Sequence, residues 1–171
     1  MLRIGLVLAA ALACFSLSAK AADSALSAQA NAAFLADYAK KPGVVIRPSG
    51  LEYRVIRNGF GRRPTAFDTV EVNYKGSLIN GTVFDQTEEG MPAKFTVNKL
   101  IPGWTEALEV MREGDHWELV IPAGLAYGAR GAGGVIPPDQ TLIFDLELLK
   151  ATPPPKDQDQ GQDQGQGQSP Y

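Results

Sequence analysis

Cysteine and histidine are almost absent from this chain of 171 residues, which contains one of each. A single cysteine, Cys14, cannot form an internal disulfide, and one cysteine with one histidine cannot supply the ligands of a zinc site. A Ser-His-Asp triad would need His116 as its base, but that residue follows a glycine turn and no Gly-x-Ser-x-Gly motif is present. We therefore expect no metal site and no hydrolytic triad.

Basic residues are few and scattered. There are 16 Lys and Arg against 19 Asp and Glu, a net charge of -3, with no Lys/Arg cluster that could follow a phosphate backbone. This composition excludes nucleic acid as an expected partner. The glycines from Gly128 to Gly134 are not a phosphate loop, because they lead into Val135-Ile136-Pro137-Pro138 rather than into a helix. We expect no cofactor, and an apolar-tipped loop at this position.

A long hydrophobic run occurs at the N-terminus only. Arg3 precedes a run of apolar and small residues from Ile4 to Leu17, and Ala19-Lys20-Ala21 has the small-x-small pattern of a cleavage site. This order predicts a signal peptide over residues 1–21, with cleavage after Ala22 as a close alternative. The run is shorter than the roughly 20 residues that cross a bilayer, so no membrane insertion is expected.

A lipoprotein start at Cys14 is a second alternative for the N-terminus, but Ala11 stands where lipoprotein signals usually have a bulky aliphatic residue. Cleavage after Ala21 would remove the cysteine. It would also remove Arg3 and Lys20, which leaves 14 basic against 19 acidic residues, a net charge of -5. The sequence thus predicts an acidic, soluble protein that is periplasmic or secreted.

An Ala-rich lead-in covers residues 22–48. From Ser24 to Lys41 its apolar residues recur at helical spacing, and Pro42-Gly43 follows, which predicts one amphipathic helix. We expect this helix to pack on the following domain. The alternative is the remnant of a dimerisation arm, but the segment is short for independent association, so we expect a monomer and leave a dimer open.

Residues 49–150 have the pattern of a β-rich domain. Alternating segments begin at Leu51, Thr69, Trp117 and Leu142, and Asn80-Gly81 between two of them is a strong hairpin signal. One helical pattern interrupts them, formed by Trp104, Ala107, Leu108 and Met111, with Gly114 placed to end it. The expected fold class is α+β, with an antiparallel sheet wrapped over one short helix. Residues 151–171 are rich in Pro, Gln, Gly and Asp, which predicts a disordered tail.

Bulky aromatic residues lie next to the predicted loops, and the motifs around them carry a resemblance. These motifs are Val72-Asn73-Tyr74-Lys75-Gly76, Phe84-Asp85, Leu100-Ile101-Pro102-Gly103-Trp104, Ala126-Tyr127-Gly128 and Gly134-Val135-Ile136-Pro137-Pro138. In this order and spacing they resemble the FKBP-type peptidyl-prolyl isomerases. The lead-in, from Phe34-Leu35-Ala36 to Gly50-Leu51-Glu52-Tyr53, is similar to the exported bacterial branch that includes the macrophage infectivity potentiator proteins.

The resemblance implies a half-open sheet around the Trp104 helix, with a proline pocket between them. Carried over motif by motif, the catalytic residues would be Tyr74, Phe84, Asp85, Ile101, Trp104, Tyr127 and Phe144, and the substrate-binding residues Leu100, Val135 and Ile136. The implied ligands are proline-containing polypeptides and macrolide inhibitors. One departure is Ala93, where some members of the family have a further aromatic residue, so one pocket wall is expected to be more open and macrolides to bind less tightly.

The resemblance implies a rotamase that assists folding of exported polypeptides. Two other functions stay open. One is a chaperone-like module that holds apolar Pro-containing segments with little turnover, and the other is an inactive scaffold domain.

Overall fold

The computed structural model describes residues 25–155, which form two α-helices and seven strands. The elements in chain order are α1 (Ala28–Tyr38), β1 (Val44–Ile46), β2 (Glu52–Arg57), β3 (Thr69–Leu78), β4 (Val83–Gln86), β5 (Ala93–Thr96), α2 (Pro102–Val110), β6 (His116–Ile121) and β7 (Leu142–Thr152). The strands are antiparallel in the order β1-β2-β6-β7-β3-β4, and β5 pairs with β3. An open sheet with one short helix in its core confirms the predicted α+β fold.

The lead-in helix α1 packs on the sheet, as expected. Its N-cap is Ser27, whose hydroxyl accepts the amide of Ala30 at 3.2 Å. Tyr38 is buried at the other end of the helix, and its hydroxyl donates to Glu118 Oε1 at 2.8 Å. The same segment also contains a strand that the sequence pattern did not reveal, because β1 is only three residues long. The signal peptide predicted for residues 1–21 lies outside the described residues.

The hairpin predicted at Asn80-Gly81 is confirmed. Gly81 has φ of 84°, and the Asn80 side chain accepts the amide of Thr82 at 3.0 Å. The Leu78 amide donates to the Thr82 carbonyl at 2.9 Å, which closes the turn between β3 and β4. This local chemistry brings β4, and with it Phe84, beside the centre of β3.

Helix α2 lies under the sheet and forms the centre of the core. Trp104, Ala107, Leu108 and Met111 are all at least 96% buried, which confirms the face that their spacing predicted. The helix ends at Val110, however, and not at Gly114 as expected. The backbone of Met111 is already extended, so the helix cannot continue through it. The Asp115 carboxylate accepts the Arg112 amide at 2.6 Å and stabilises a separate turn after the helix.

Strand β7 runs through the middle of the sheet and continues two residues past the predicted domain end at Lys150. Ala151 is buried and its amide donates to Glu113 Oε1 at 2.7 Å. The predicted tail lies outside the described residues from 156 onward. Within residues 25–155, neither helix has the length and apolar character needed to span a membrane.

A buried carboxylate, Asp68, holds the loop before β3. Its side chain is 1% exposed and accepts the amide and the hydroxyl of Thr65 at 2.9 and 3.0 Å, and Arg62 Nη2 at 2.6 Å. Burial raises the pKa of Asp68, but the bonds from Thr65 and the Arg62 charge outweigh it and hold the pKa below its ordinary value. The carboxylate therefore stabilises the fold at pH values above about 3.9, the pKa of an Asp side chain in the unfolded protein. This stabilisation is lost as the pH falls through the lower pKa that Asp68 has in the folded protein.

Asp68→Asn should lower the free energy of unfolding at pH 7 by about 1–3 kcal/mol, because its amide group cannot accept all three bonds. The difference from the original protein should shrink as the pH falls below about 4. Urea unfolding at pH 7, 5 and 3.5 measures both effects. Asp37→Asn is the control, since the Asp37–Lys40 pair is exposed and should contribute nothing measurable. An equal loss at all three pH values would show that the ionised form of Asp68 is not what stabilises the fold.

Candidate active site

A cavity of about 280 Å³ opens where four strands meet the beginning of α2. This volume is near the lower end of small-molecule sites, which begin at about 300 Å³, and it suits a small ring with its flanking backbone. Residues from β3, β4, β5, β7, α2 and two connecting segments line it: Tyr74, Phe84, Asp85, Phe95, Lys99, Leu100, Ile101, Trp104, Tyr127 and Phe144. The wall is thus mostly aromatic and aliphatic.

Trp104 is the fixed centre of this wall. It lies in the first turn of α2, is 4% exposed, and contacts three other rings edge to face. Its ring centroid is 5.2 Å from those of Tyr74 and Phe144 and 6.0 Å from that of Phe95, with interplanar angles of 87°, 85° and 89°. Such pairs are favoured by the quadrupoles of the rings and lock one another in place.

Phe84 and Phe144 form a second aromatic pair, with centroids 5.6 Å apart and planes at 84°. Both rings lie directly over Gly76 of β3. A Cβ at Gly76 would be 2.6 Å from Phe84 Cζ and 2.8 Å from Phe144 Cε1, which is too close for either ring to stay where it is. The glycine in the Val72–Gly76 motif is therefore what lets the two rings lie against the strand.

The polar groups of the cavity are few. The Tyr74 hydroxyl donates a hydrogen bond to Asp85 Oδ2 at 2.5 Å. Burial, and then this bond to the carboxylate, raises the pKa of Tyr74, so the phenol stays protonated throughout the physiological range. The pair therefore presents a neutral phenol held by a carboxylate at the edge of an apolar cavity.

The Ile101 amide and the Tyr127 hydroxyl can donate hydrogen bonds to a ligand. Ile101 is the N-cap of α2, where its carbonyl accepts the amides of Trp104 and Thr105 at 3.0 and 3.1 Å. Within residues 25–155 no hydrogen bond uses the Ile101 amide itself, nor the hydroxyl of Tyr127, which is 41% exposed. The cavity can thus hold a small apolar ring while donating to nearby carbonyl groups.

The structure brings together eight of the ten predicted site residues: Tyr74, Phe84, Asp85, Leu100, Ile101, Trp104, Tyr127 and Phe144. Val135 and Ile136 are not part of the cavity wall. Val135 is 57% exposed on the loop after Gly128, and Ile136 is 6% exposed and packs in the core.

Two lining residues, Phe95 and Lys99, were not among the predicted site residues, although Phe95 is one of the bulky aromatic residues next to the predicted loops. Phe95 pairs with Val70 across β5 and β3, two residues from Ala93, which pairs with Val72. The alternation Ala93, Phe95 was the available signal for this face, but β5 is only four residues long. The chain's histidine, His116, lies elsewhere, with Nε2 at 2.7 Å from Asp145 Oδ1.

Comparison with known proteins places the chain in a family. Residues 61–149 match the family described as FKBP-type peptidyl-prolyl cis-trans isomerase. Residues 8–55 match the family described as the domain amino terminal to FKBP-type peptidyl-prolyl isomerase.

Two curated relatives are each 54% identical over 118 residues, or 68% of this chain: the outer membrane protein MIP of Legionella longbeachae and the FKBP-type 22 kDa peptidyl-prolyl cis-trans isomerase of Escherichia coli K12. The chain covers 51% and 57% of their respective lengths. A crystal structure of a peptidyl-prolyl cis-trans isomerase from Pseudomonas syringae pv. tomato is similar with a TM-score of 0.69 and 40% identity, covering 76% of this chain and 95% of that one. The chain belongs to the FKBP-type peptidyl-prolyl cis-trans isomerase family.

Proposed function

We propose that this protein is a peptidyl-prolyl cis/trans isomerase that accelerates rotation about X-Pro bonds in exported polypeptides. The proposal rests on the aromatic cavity around Trp104, and on the Ile101 amide at its edge, which donates no hydrogen bond within residues 25–155. A proline ring is small and apolar, and the amide before it has a carbonyl that accepts hydrogen bonds. The match to the isomerase family over residues 61–149 supports the same activity.

The proposed chemistry needs neither an acid nor a base. Rotation about an amide costs about 18–20 kcal/mol because the planar form keeps the double-bond character of its C–N bond. The twisted amide has lost this resonance and the charge separation that comes with it. An apolar cavity therefore disfavours the twisted form less than the planar one, and the barrier falls.

The residues predicted from the motifs have proposed parts in this rotation. Trp104, Phe84 and Phe144 hold the proline ring away from water. The Ile101 amide and the Tyr127 hydroxyl donate to the carbonyls on either side of the proline. Asp85 orients Tyr74 through its hydrogen bond and polarises the edge of the site without moving a proton. Leu100 adds apolar wall, and Val135, which is exposed on the neighbouring loop, contacts longer substrates.

A protease-free isomerisation assay on a short X-Pro peptide tests the proposal. We expect the protein to shorten the uncatalysed relaxation, which takes tens to hundreds of seconds, in proportion to its concentration. Binding of the peptide without acceleration would favour the holding module instead. Absence of both binding and acceleration would favour the inactive scaffold.

We further propose that the chain is exported to the periplasm after removal of residues 1–21 and acts there on folding proteins. The apolar run from Ile4 to Leu17 supports export. We also propose that the protein is monomeric, and that Ala93, where some family members have an aromatic residue, weakens the binding of macrolides.

A further inference from the structure

A buried polar cluster joins the lead-in helix to the loop that follows Tyr127. It consists of Asn31, Gln140 and Thr141, which are 4%, 5% and 2% exposed. Buried amide groups are costly unless their hydrogen bonds are made, so such a cluster fixes the segments that share it. Asn31 lies on α1, more than 100 residues in sequence from Gln140 and Thr141, which lie just before β7.

Both ends of the Asn31 side-chain amide are hydrogen-bonded. Its Nδ2 group donates to the Gln140 Oε1 atom at 3.1 Å and to the carbonyls of Leu26 and Ser27 at 3.1 and 3.0 Å. Its Oδ1 atom accepts the amide of Thr141 at 2.8 Å. One side chain on α1 therefore holds both a side chain and a backbone group of the segment before β7.

That segment closes the base of the loop beside the cavity. Gln140 Nε2 donates to the Pro138 carbonyl at 2.8 Å, and the amide of Asp139 donates to the Gly128 carbonyl at 2.9 Å. Asp139 has φ of 58°, a left-handed conformation that a non-glycine residue keeps only when its surroundings hold it. Gly128 directly follows Tyr127, which lines the cavity.

We propose that Asn31 is a positioning residue for the isomerase site. Through Gln140 and Thr141 it holds the base of the 128–139 loop, and thereby keeps Tyr127 and the loop beside the cavity in the arrangement that receives substrate. The proposal rests on the proposed isomerase function. If so, α1 helps to position the active site in addition to packing on the sheet.

The proposal predicts a specific kinetic change. If the loop is in its binding arrangement for only a fraction of the time, the apparent affinity falls by that fraction, while bound substrate still turns over. Asn31→Leu should therefore raise KM about 3- to 10-fold, the effect of one or two lost hydrogen bonds, and leave kcat within about twofold. A merely structural defect would instead reduce the fraction of active protein, which lowers kcat and leaves KM unchanged.

Tyr38→Phe is the matched control. It removes the other buried polar anchor of α1, the bond to Glu118 on β6, without touching the loop. Amide hydrogen exchange supplies a second readout at Asp139 and Ile136, whose bonds lie within the loop and do not involve Asn31. In Asn31→Leu these amides should exchange at least about tenfold faster, because the loop base opens more often, while in Tyr38→Phe they should be unchanged.

The experiment compares the full chain with both variants, and adds Gln140→Met in case Asn31→Leu does not fold. Gln140→Met breaks the same cluster from the loop side and should also raise KM. An unchanged KM in the folded cluster variants, or an equal rise in Tyr38→Phe, would overturn the proposal. If the original protein shows no isomerase activity, the proposed function fails, while hydrogen exchange still decides whether Asn31 holds the loop.

Discussion

Phe84→Ala should lower kcat/KM for an X-Pro peptide on the order of 10- to 100-fold. The Phe84 ring lies against Phe144 and forms one side of the cavity, so its removal admits water and deletes packing against the proline. Burying an apolar side chain of this size is worth about 1.5–3 kcal/mol, and a loss of that size in the transition state gives this range of rates. The measurement is kcat/KM by the protease-free assay, after circular dichroism has shown that the variant is folded.

Tyr127→Phe is the variant to compare with Phe84→Ala, because it tests a polar contact and not the apolar wall. It keeps the ring and removes one hydroxyl, a hydrogen bond worth about 0.5–1.5 kcal/mol, so the loss should be about tenfold at most. Phe84→Leu should recover part of the activity because it restores an apolar wall. Greater damage in Tyr127→Phe than in Phe84→Ala would show that polar stabilisation, and not the dry wall, dominates the rate.

Gly76→Ala should reduce kcat/KM by a similar order of magnitude, although residue 76 contributes no side chain to the cavity. The added Cβ would lie 2.6 Å from Phe84 Cζ and 2.8 Å from Phe144 Cε1, so both rings must move from the strand. Ring shifts of this kind cost about 1–3 kcal/mol in stability. The variant should therefore fold with a lower melting temperature and a distorted site, which thermal unfolding and kcat/KM measure together.

Gly124→Ala is the control for the Gly76 substitution. Gly124 is exposed, lies in a short 3₁₀ turn over Ala123–Leu125, and has nothing within 4 Å of an added Cβ. The same change of one methyl group should leave both activity and melting temperature near those of the original protein. Full activity in Gly76→Ala would mean that the positions of the two rings do not control turnover.

The parts of the fold that follow from local sequence were predictable. The Asn80-Gly81 hairpin needs only the turn chemistry of two residues, and the buried face of α2 needs only the spacing of Trp104 and its neighbours. The end of α2 was not predictable in the same way. Gly114 has the conformational freedom to cap a helix, but the Asp115 carboxylate holds a separate turn there and the helix stops at Val110.

Most of the site followed from motifs, and the residues that were missed depend on long-range pairing. Phe95 faces the cavity because β5 pairs with β3 in one register, which a four-residue strand does not reveal by itself. Asn31 looked like an ordinary polar residue of an Ala-rich helix. It is buried against residues 140 and 141. The sequence around position 31 does not predict a contact with residues so distant in the chain.

In the proposed mechanism the apolar cavity accelerates amide rotation without proton transfer. The most direct test is the pH profile of kcat/KM on one X-Pro peptide between about pH 6 and 8, at constant ionic strength. We predict a nearly flat profile, because the Tyr74 phenol stays protonated, with a raised pKa, and His116 lies outside the cavity wall. A bell-shaped profile centred near neutrality would contradict the claim, since it would show that a general acid or base takes part in the rate-limiting step.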